Sequence, residues 1–416
     1  MDEELAPYKY LCNLFTHYLL GEIDESDFLW EVESWSSPCE MFTILQGESK
    51  KSQKVLASLN SKDFFHWDIE FPDVFYGDNS GFDCVIGNPP YVEQSELNYK
   101  PLVRKTEKCG STYAFLFELS LSILKDIGEY GYIIPMSGIS TTRMSPLQEL
   151  LTGNSKKINI ANFAVRPSKI FPGVDMNVSI ITGTKGNSSK QQIKTTGYIR
   201  WYSNERKRLF ESLNYVLCTE FIKNGIFPKL GTEKDRGILS KLSKIKRNIS
   251  DYVDNESSRI IYYHSGGRYW RKALEKKLSS HYKPLPIVDF AYHPILCALN
   301  SSLYYWYWIT FSNCYDLVSR DVLDFPINLE NIDHHILWQF SELAHNLMKD
   351  YEENCEIRLR TKSGKTFEEK NYYPVKSKKI IDEIDNLLGT LYGLDESEIR
   401  YICNFESRFR MKDNDL

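Results

Sequence analysis

Residues 82–92 read Phe-Asp-Cys-Val-Ile-Gly-Asn-Pro-Pro-Tyr-Val. The short apolar run Phe82 to Gly87 predicts a buried strand of a parallel sheet. What leaves that strand, Asn88-Pro89-Pro90-Tyr91, has a chemical reading. An exocyclic amine on a base is a poor nucleophile because its lone pair is delocalised into the ring. The side-chain carbonyl of Asn88 and the backbone carbonyl of Pro89 can each accept one amine hydrogen. That pulls the nitrogen towards tetrahedral geometry and turns its lone pair towards a methyl donor. Two prolines stiffen the segment and contribute no competing N–H. Tyr91 can stack on the base, a contact worth roughly 1–3 kcal/mol. A base used this way has to leave the duplex. Standing alone, the tetrapeptide could equally be a rigid turn; its place directly after a strand favours the chemical reading.

Working outward, residues 111–127 predict an amphipathic helix with Ser111 or Thr112 as N-cap and Gly128 near its end. Residues 130–135 and 177–182 are strand-like, which makes the order strand, loop, helix, strand: α/β. Upstream, apolar residues at helical spacing predict a helix over 7–21, and 27–60 read as further helix with a break at Ser36-Ser37-Pro38. Gly186 to Lys194 is a loop or linker. Residues 331–352 and 377–408 predict helices. The expected organisation is a helical acidic segment (1–63), a catalytic half (64–190), a DNA-reading region (191–330) and a helical C-terminal segment (331–416).

Composition is that of an ordinary globular chain: 416 residues, 42% hydrophobic and 26% charged. No apolar run approaches the ~20 residues of a membrane helix, and no signal peptide opens the chain. The nine cysteines include no C-x-x-C pair, which fits reduced thiols in a cytoplasmic protein. Residues 1–80 hold 16 acidic and 5 basic side chains, leaving +6 of the overall −5 for the rest. That acidic arm is a solvated helical surface or a face that meets a basic partner.

FDCVIGNPPYV resembles the motif of class I amino-methyltransferases that modify adenine N6 in DNA. Its surroundings resemble the large methylases of type IIG restriction–modification and related phage-defence systems. FFHWDIEFPDVF (64–75) is similar to that family's lead-in, and Arg166 to Val174 to its loop after the methylase core. TTGYIRWYSNERKRLFESL (195–213), YYHSGGRYW (262–270) and LNSSLYYWYW (299–308) resemble its DNA-reading portion. The resemblance implies a partial Rossmann-like methyltransferase sheet followed by an α+β DNA target-recognition domain and C-terminal helices. It implies double-stranded DNA as partner, S-adenosyl-L-methionine as cofactor and adenine as target.

Family members bind the donor through an aromatic-x-Gly-x-Gly loop and an acidic residue, both ahead of the N-P-P-Y motif. Residues 1–87 hold neither; Gly21, Gly47, Gly77 and Gly81 each stand alone. The expectation is a split enzyme in which Asn88 touches only the edge of the donor and a second protein subunit carries the remainder. The other reading is a catalytically inactive methylase-like DNA-recognition subunit of a defence complex. No metal is called for. Glu368-Glu369-Lys370 and Glu48-Ser49-Lys50 fit the short half of a nuclease motif but read as surface charge.

Cations interleaved with aromatics over 196–282 suit phosphate binding: Arg200, Arg206, Lys207, Arg208, Lys246, Arg247, Arg268 and Arg271. The same pattern also describes a solvated helix surface over an aromatic core. Tyr304-Tyr305-Trp306-Tyr307-Trp308 reads as core, with a base-stacking platform as the alternative. Arg166 and Phe171 are candidates for the target-base pocket, Phe171 as a second stacking face; a structural turn is the competing reading.

Overall fold

The computed structural model describes residues 2–33, 64–98, 100–102, 105–266, 269–362 and 365–411. They form two units: the first comprises 1–134, 143–158 and 180–192, the second 135–142, 159–179 and 193–416. The first unit opens with helices α1 (Asp2–Leu19) and α2 (Glu25–Glu33), as expected for 7–21 and the start of 27–60. Residues 34–63 of that expectation lie outside the described residues.

A six-stranded sheet follows from β1 (Phe82–Gly87), β2 (Leu124–Pro135), β3 (Ser155–Phe163), β4 (Val178–Lys185), β5 (Gln192–Ile199) and β6 (Val216–Leu217). Their spatial order is β1-β2-β4-β3-β5-β6. β1 and β2 run parallel, while β5 and β6 are antiparallel. The class is α/β as expected, with a mixed sheet. Helix α3 (Thr112–Ile123) makes the crossover between β1 and β2, and α4 (Ser145–Asn154) lies between β2 and β3.

Two details of the sequence reading change. First, α3 is not amphipathic: Tyr113, Ala114, Phe115, Phe117, Leu121 and Ile123 are all buried, and β2 starts at Leu124 without a loop. Gly128 therefore belongs to a strand and caps nothing. Second, β1 is not a buried central strand. Among the described residues it ends the sheet, and Asp83, Cys84 and Ile86 are exposed, Ile86 at 78%. A short run that is apolar or small apart from Asp83 fits a central strand and an edge strand equally well. At β2, Tyr130 donates or accepts a 2.7 Å hydrogen bond with Ser155. The ring fits there because residue 183 is glycine; a Cβ would sit 2.3 Å from the phenol oxygen.

In the second unit, α5 (Glu233–Leu242) precedes a three-stranded sheet of β7 (Ile260–His264), β8 (Ala273–Leu274) and β9 (Tyr282–Pro286) in the order β8-β7-β9. Helices α6 (Tyr292–Asn300) and α7 (Ser302–Phe311) are buried along nearly their whole length. Tyr304 to Trp308 is thus core, and the stacking-platform alternative falls. Trp306 Nε1 donates to Asp235 Oδ1 at 2.7 Å, which satisfies its one polar atom. Helices α8 (His334–Glu353), α9 (Lys378–Leu391) and α10 (Glu396–Cys403) match the expected C-terminal helices. Between α8 and α9 the chain instead forms an antiparallel hairpin, β10 (Glu356–Lys362) and β11 (Lys365–Asn371), which helical spacing did not announce. Lys370 of that hairpin pairs with Glu352 at 2.6 Å, an ordinary structural use of the nuclease-like Lys.

Asp385 on α9 is buried and accepts the Leu303 N–H at 3.0 Å. Burial pushes its carboxyl up to about 6. An unfolded chain ionises this group near pH 3.9, so the folded state holds the proton longer. Stability therefore falls as pH rises from about 4 to about 6 and then levels off. Asp385→Asn keeps the acceptor and removes the charge. It is expected to be more stable than the native chain by on the order of 2 kcal/mol at pH 8, with the gain vanishing by about pH 4. Urea unfolding at the two pH values checks this; a gain independent of pH would refute it.

Candidate active site

The site forms in the first unit, at the carboxyl ends of the parallel pair β1 and β2, where ligands of open α/β sheets bind. Gly87 pairs with Tyr132, and a Cβ at 87 would come within 3.0 Å of that ring. The chain then turns through Asn88, exposed; Pro89, buried; Pro90, exposed; and Tyr91, half-buried. The Tyr91 hydroxyl lies 3.0 Å from Asn88 Oδ1 and 3.0 Å from the backbone oxygen of Ile133. A hydroxyl has one hydrogen, which these two acceptors share. Asn88 Oδ1 carries two lone pairs, so one is left for a second donor. Burial holds the Tyr91 phenol above its ordinary range, keeping it a donor at neutral pH. Its ring meets Tyr113 edge-on at 6.3 Å.

Beyond Tyr91 the chain is strapped to the start of α3. Gln94 N–H donates to Gly110 O at 2.8 Å, and Glu93 and Ser111 form an antiparallel bridge. Arg143 joins the same strap, pairing with Glu93 and donating from Nε to Cys109 O at 2.8 Å. Sequence spacing marks Ser111 and Thr112 only as capping residues and does not show these partners.

Arg166 and Phe171 belong to the second unit. Arg166 is exposed and lines a cavity of about 220 Å³ together with Asp175, Asn177, Tyr198 and Tyr315. Asn177 organises its wall: its Oδ1 accepts from Val165 N–H and Tyr198 O–H, both at 2.9 Å. Phe171 is half-buried and does not line it.

Among the cations expected to meet DNA, two are buried. Arg200 is largely buried and bound to Glu406 at 3.0 Å, so its charge is already balanced within the protein. Arg271 is buried with its guanidinium 3.4 Å from the centre of the Trp308 ring and Nη1 donating to Gly266 O at 3.0 Å. Arg206, Lys207, Arg208 and Lys246 are exposed. Arg206 spends part of its guanidinium on Lys169 O and Ile170 O, and Arg247 pairs with Glu330. Arg268 lies outside the described residues. Asp382, Asp385 and Cys403 come within 4.8 Å of one another, but Lys378 already compensates Asp382.

The α/β sheet presents an Asn-Pro-Pro-Tyr loop at the carboxyl end of β1. Residues 31–171, which contain that loop, match the family model of the Eco57I restriction-modification methylase. The chain is 25% identical over 144 residues to the type II restriction enzyme and methyltransferase RM.Eco57I of Escherichia coli, covering 32% of this chain and 14% of that protein. It is 30% identical over 245 residues to the putative type II restriction enzyme and methyltransferase RM.MjaORFECS2P of Methanocaldococcus jannaschii, covering 57% and 20%. To the type II methyltransferase M.HincII of Haemophilus influenzae it is 33% identical over 121 residues, covering 27% and 24%. The chain is thus similar over part of its length to restriction–modification methylases, and spans about a quarter or less of these relatives' length. The solved structure of the type IIL restriction-modification enzyme MmeI in complex with DNA is similar with a TM-score of 0.45 at 12% identity, covering 77% of this chain and 56% of that one. No described helix is long and apolar enough to cross a membrane.

Proposed function

We propose that this chain is the base-holding and DNA-recognising subunit of an adenine-N6 DNA methyltransferase in a restriction–modification or phage-defence system. The carrying observation is the exposed carboxamide of Asn88, fixed by Tyr91 and set in a proline-stiffened loop at the end of β1. The target base leaves the duplex and offers its amine to Asn88 Oδ1 and Pro89 O, with Tyr91 against its face. S-adenosyl-L-methionine supplies the methyl group. Of this chain's residues, Asn88 fits the edge of the donor site. The amine proton released on methylation passes to solvent.

The remainder of the donor site is assigned to a second protein subunit. Support comes from β1, whose outer edge carries no neighbour among the described residues and leaves Ile86 in solvent. An open edge with an exposed apolar side chain is a template for another strand. DNA is assigned to the exposed cations Arg206, Lys207, Arg208 and Lys246.

Titration of S-adenosyl-L-methionine into the purified chain by calorimetry tests the division of labour. The expected result is no saturable binding by the chain alone. Tight binding without a second protein would sink the split arrangement while leaving the base-holding role open.

A further inference from the structure

Neither hydroxyl at the start of α3 caps the helix. Ser111 occupies the N-cap position with extended backbone, yet makes no side-chain bond to the first turn. An unused serine or threonine at a helix start forgoes about 1 kcal/mol. Both hydroxyls are turned onto the segment that follows the prolines. Ser111 Oγ donates to Val92 O at 3.4 Å. Thr112 Oγ1 lies 2.5 Å from Pro90 O and 3.2 Å from Val92 O, and accepts the Val92 N–H at 3.2 Å. Thr112's own N–H donates to Val92 O at 3.0 Å. Its one hydroxyl hydrogen goes to the shortest contact, Pro90 O, and a lone pair serves Val92.

The consequence follows from what prolines lack. Their rings fix φ at 89 and 90, but they own no N–H with which to anchor themselves. The torsion ψ at Pro90 stays open, and it sets the angle between the Asn88 acceptor and the Tyr91 ring. The direction of Pro90 O is a direct reading of that torsion.

We infer that Thr112 is a positioning residue for the target base: its hydroxyl fixes the Pro90 peptide and so the relation of the Asn88 carbonyl to the Tyr91 ring. This rests on the base-holding reading given above. The roles divide between elements: β1 delivers the loop, the prolines stiffen it, and the first turn of α3 sets its angle.

The test uses the full chain and long duplex DNA in which 2-aminopurine replaces a fraction of the adenines at random, so no recognition sequence is needed. The analogue brightens when it leaves the stack. Thr112→Val keeps the branched shape and deletes the hydroxyl. It is expected to cut the fluorescence rise about fivefold or more, because sub-ångström errors in placing a base are costly. DNA affinity measured by anisotropy is expected to hold within about twofold, since phosphate contacts dominate it. Thr112→Ser is expected to restore the rise. Hydrogen exchange at the Val92 amide should speed up in Thr112→Val and return to native in Thr112→Ser, while α3 stays protected. Thr112→Ala serves in the same role if the valine variant does not fold. A full fluorescence rise in the hydroxyl-free variants overturns the inference and leaves the base-holding reading intact. No rise with the native chain overturns that reading and the inference with it.

Discussion

Asn88→Ala is expected to lower methyl transfer by about 100- to 1,000-fold, the loss seen when one preorganised polar group is removed from a reacting centre. Asn88 is in solvent, and the hydrogen bond it makes is with the Tyr91 hydroxyl, which keeps Ile133 O as its second acceptor. Deleting the carboxamide therefore strands no buried polar atom and is expected to cost under about 1 kcal/mol of stability. DNA affinity should change little, because salt-dependent phosphate contacts supply most of it. The signature is a large fall in turnover at constant melting temperature and constant DNA affinity. Tritium transfer from S-adenosyl-L-methionine to unmodified phage DNA, made with the assembled complex, reads the first; anisotropy and thermal unfolding read the others. Asn88→Asp keeps an acceptor but adds a negative charge beside the amine, and should fall between the two. Undiminished transfer by Asn88→Ala would show that the loop does not hold the base.

The loop was legible because its chemistry is local. The four residues are consecutive and follow directly on the strand β1. What surrounds the loop was not, for three separate reasons. β1 looked central because an apolar hexapeptide has no feature that records how many neighbours it has; Ile86 is apolar and in water. Thr112 looked like a cap because Ser-Thr before an apolar run is the usual capping pattern, and only the return of residues 90–94 alongside α3 diverts its hydroxyl. Arg200 and Arg271 looked like phosphate ligands because cations among aromatics read identically in a DNA-binding surface and in a cation–π core. Arg271 lies on Trp308, and Arg410 lies 3.9 Å from the centre of the Trp270 ring, both buried. The deciding carboxylate for Arg200 stands 206 residues away, at Glu406.

That distant pair carries the largest stability effect expected in the chain. The side chains of Arg200 and Glu406 are 3% and 9% exposed, and Arg200 Nε lies 3.0 and 3.1 Å from the two carboxylate oxygens. Tyr305 closes the group, donating to Glu406 Oε2 at 2.8 Å. The rings of Tyr198 and Tyr269 lie 4.8 and 4.7 Å from the guanidinium carbon. Glu406 holds φ at +53°, a region that costs a non-glycine residue about 1 kcal/mol or more. The fold accepts that cost at the residue whose carboxylate balances a buried cation. Glu406→Ala leaves Arg200 buried without a counter-charge, and breaking such a pair costs about 3–5 kcal/mol. The double change Arg200→Met with Glu406→Leu removes both charges and is expected to recover most of the loss. Urea unfolding of the single and double variants measures this; an unchanged midpoint in Glu406→Ala would mean that water, not the carboxylate, solvates Arg200. The same residues separate core from DNA surface. Lys207→Ala, at an exposed position, should reduce the salt dependence of DNA binding by about one ion while leaving the unfolding midpoint in place. Arg200→Met should do the reverse, shifting the midpoint and leaving the salt dependence of the folded protein unchanged, because Glu406 already balances the charge of the Arg200 guanidinium.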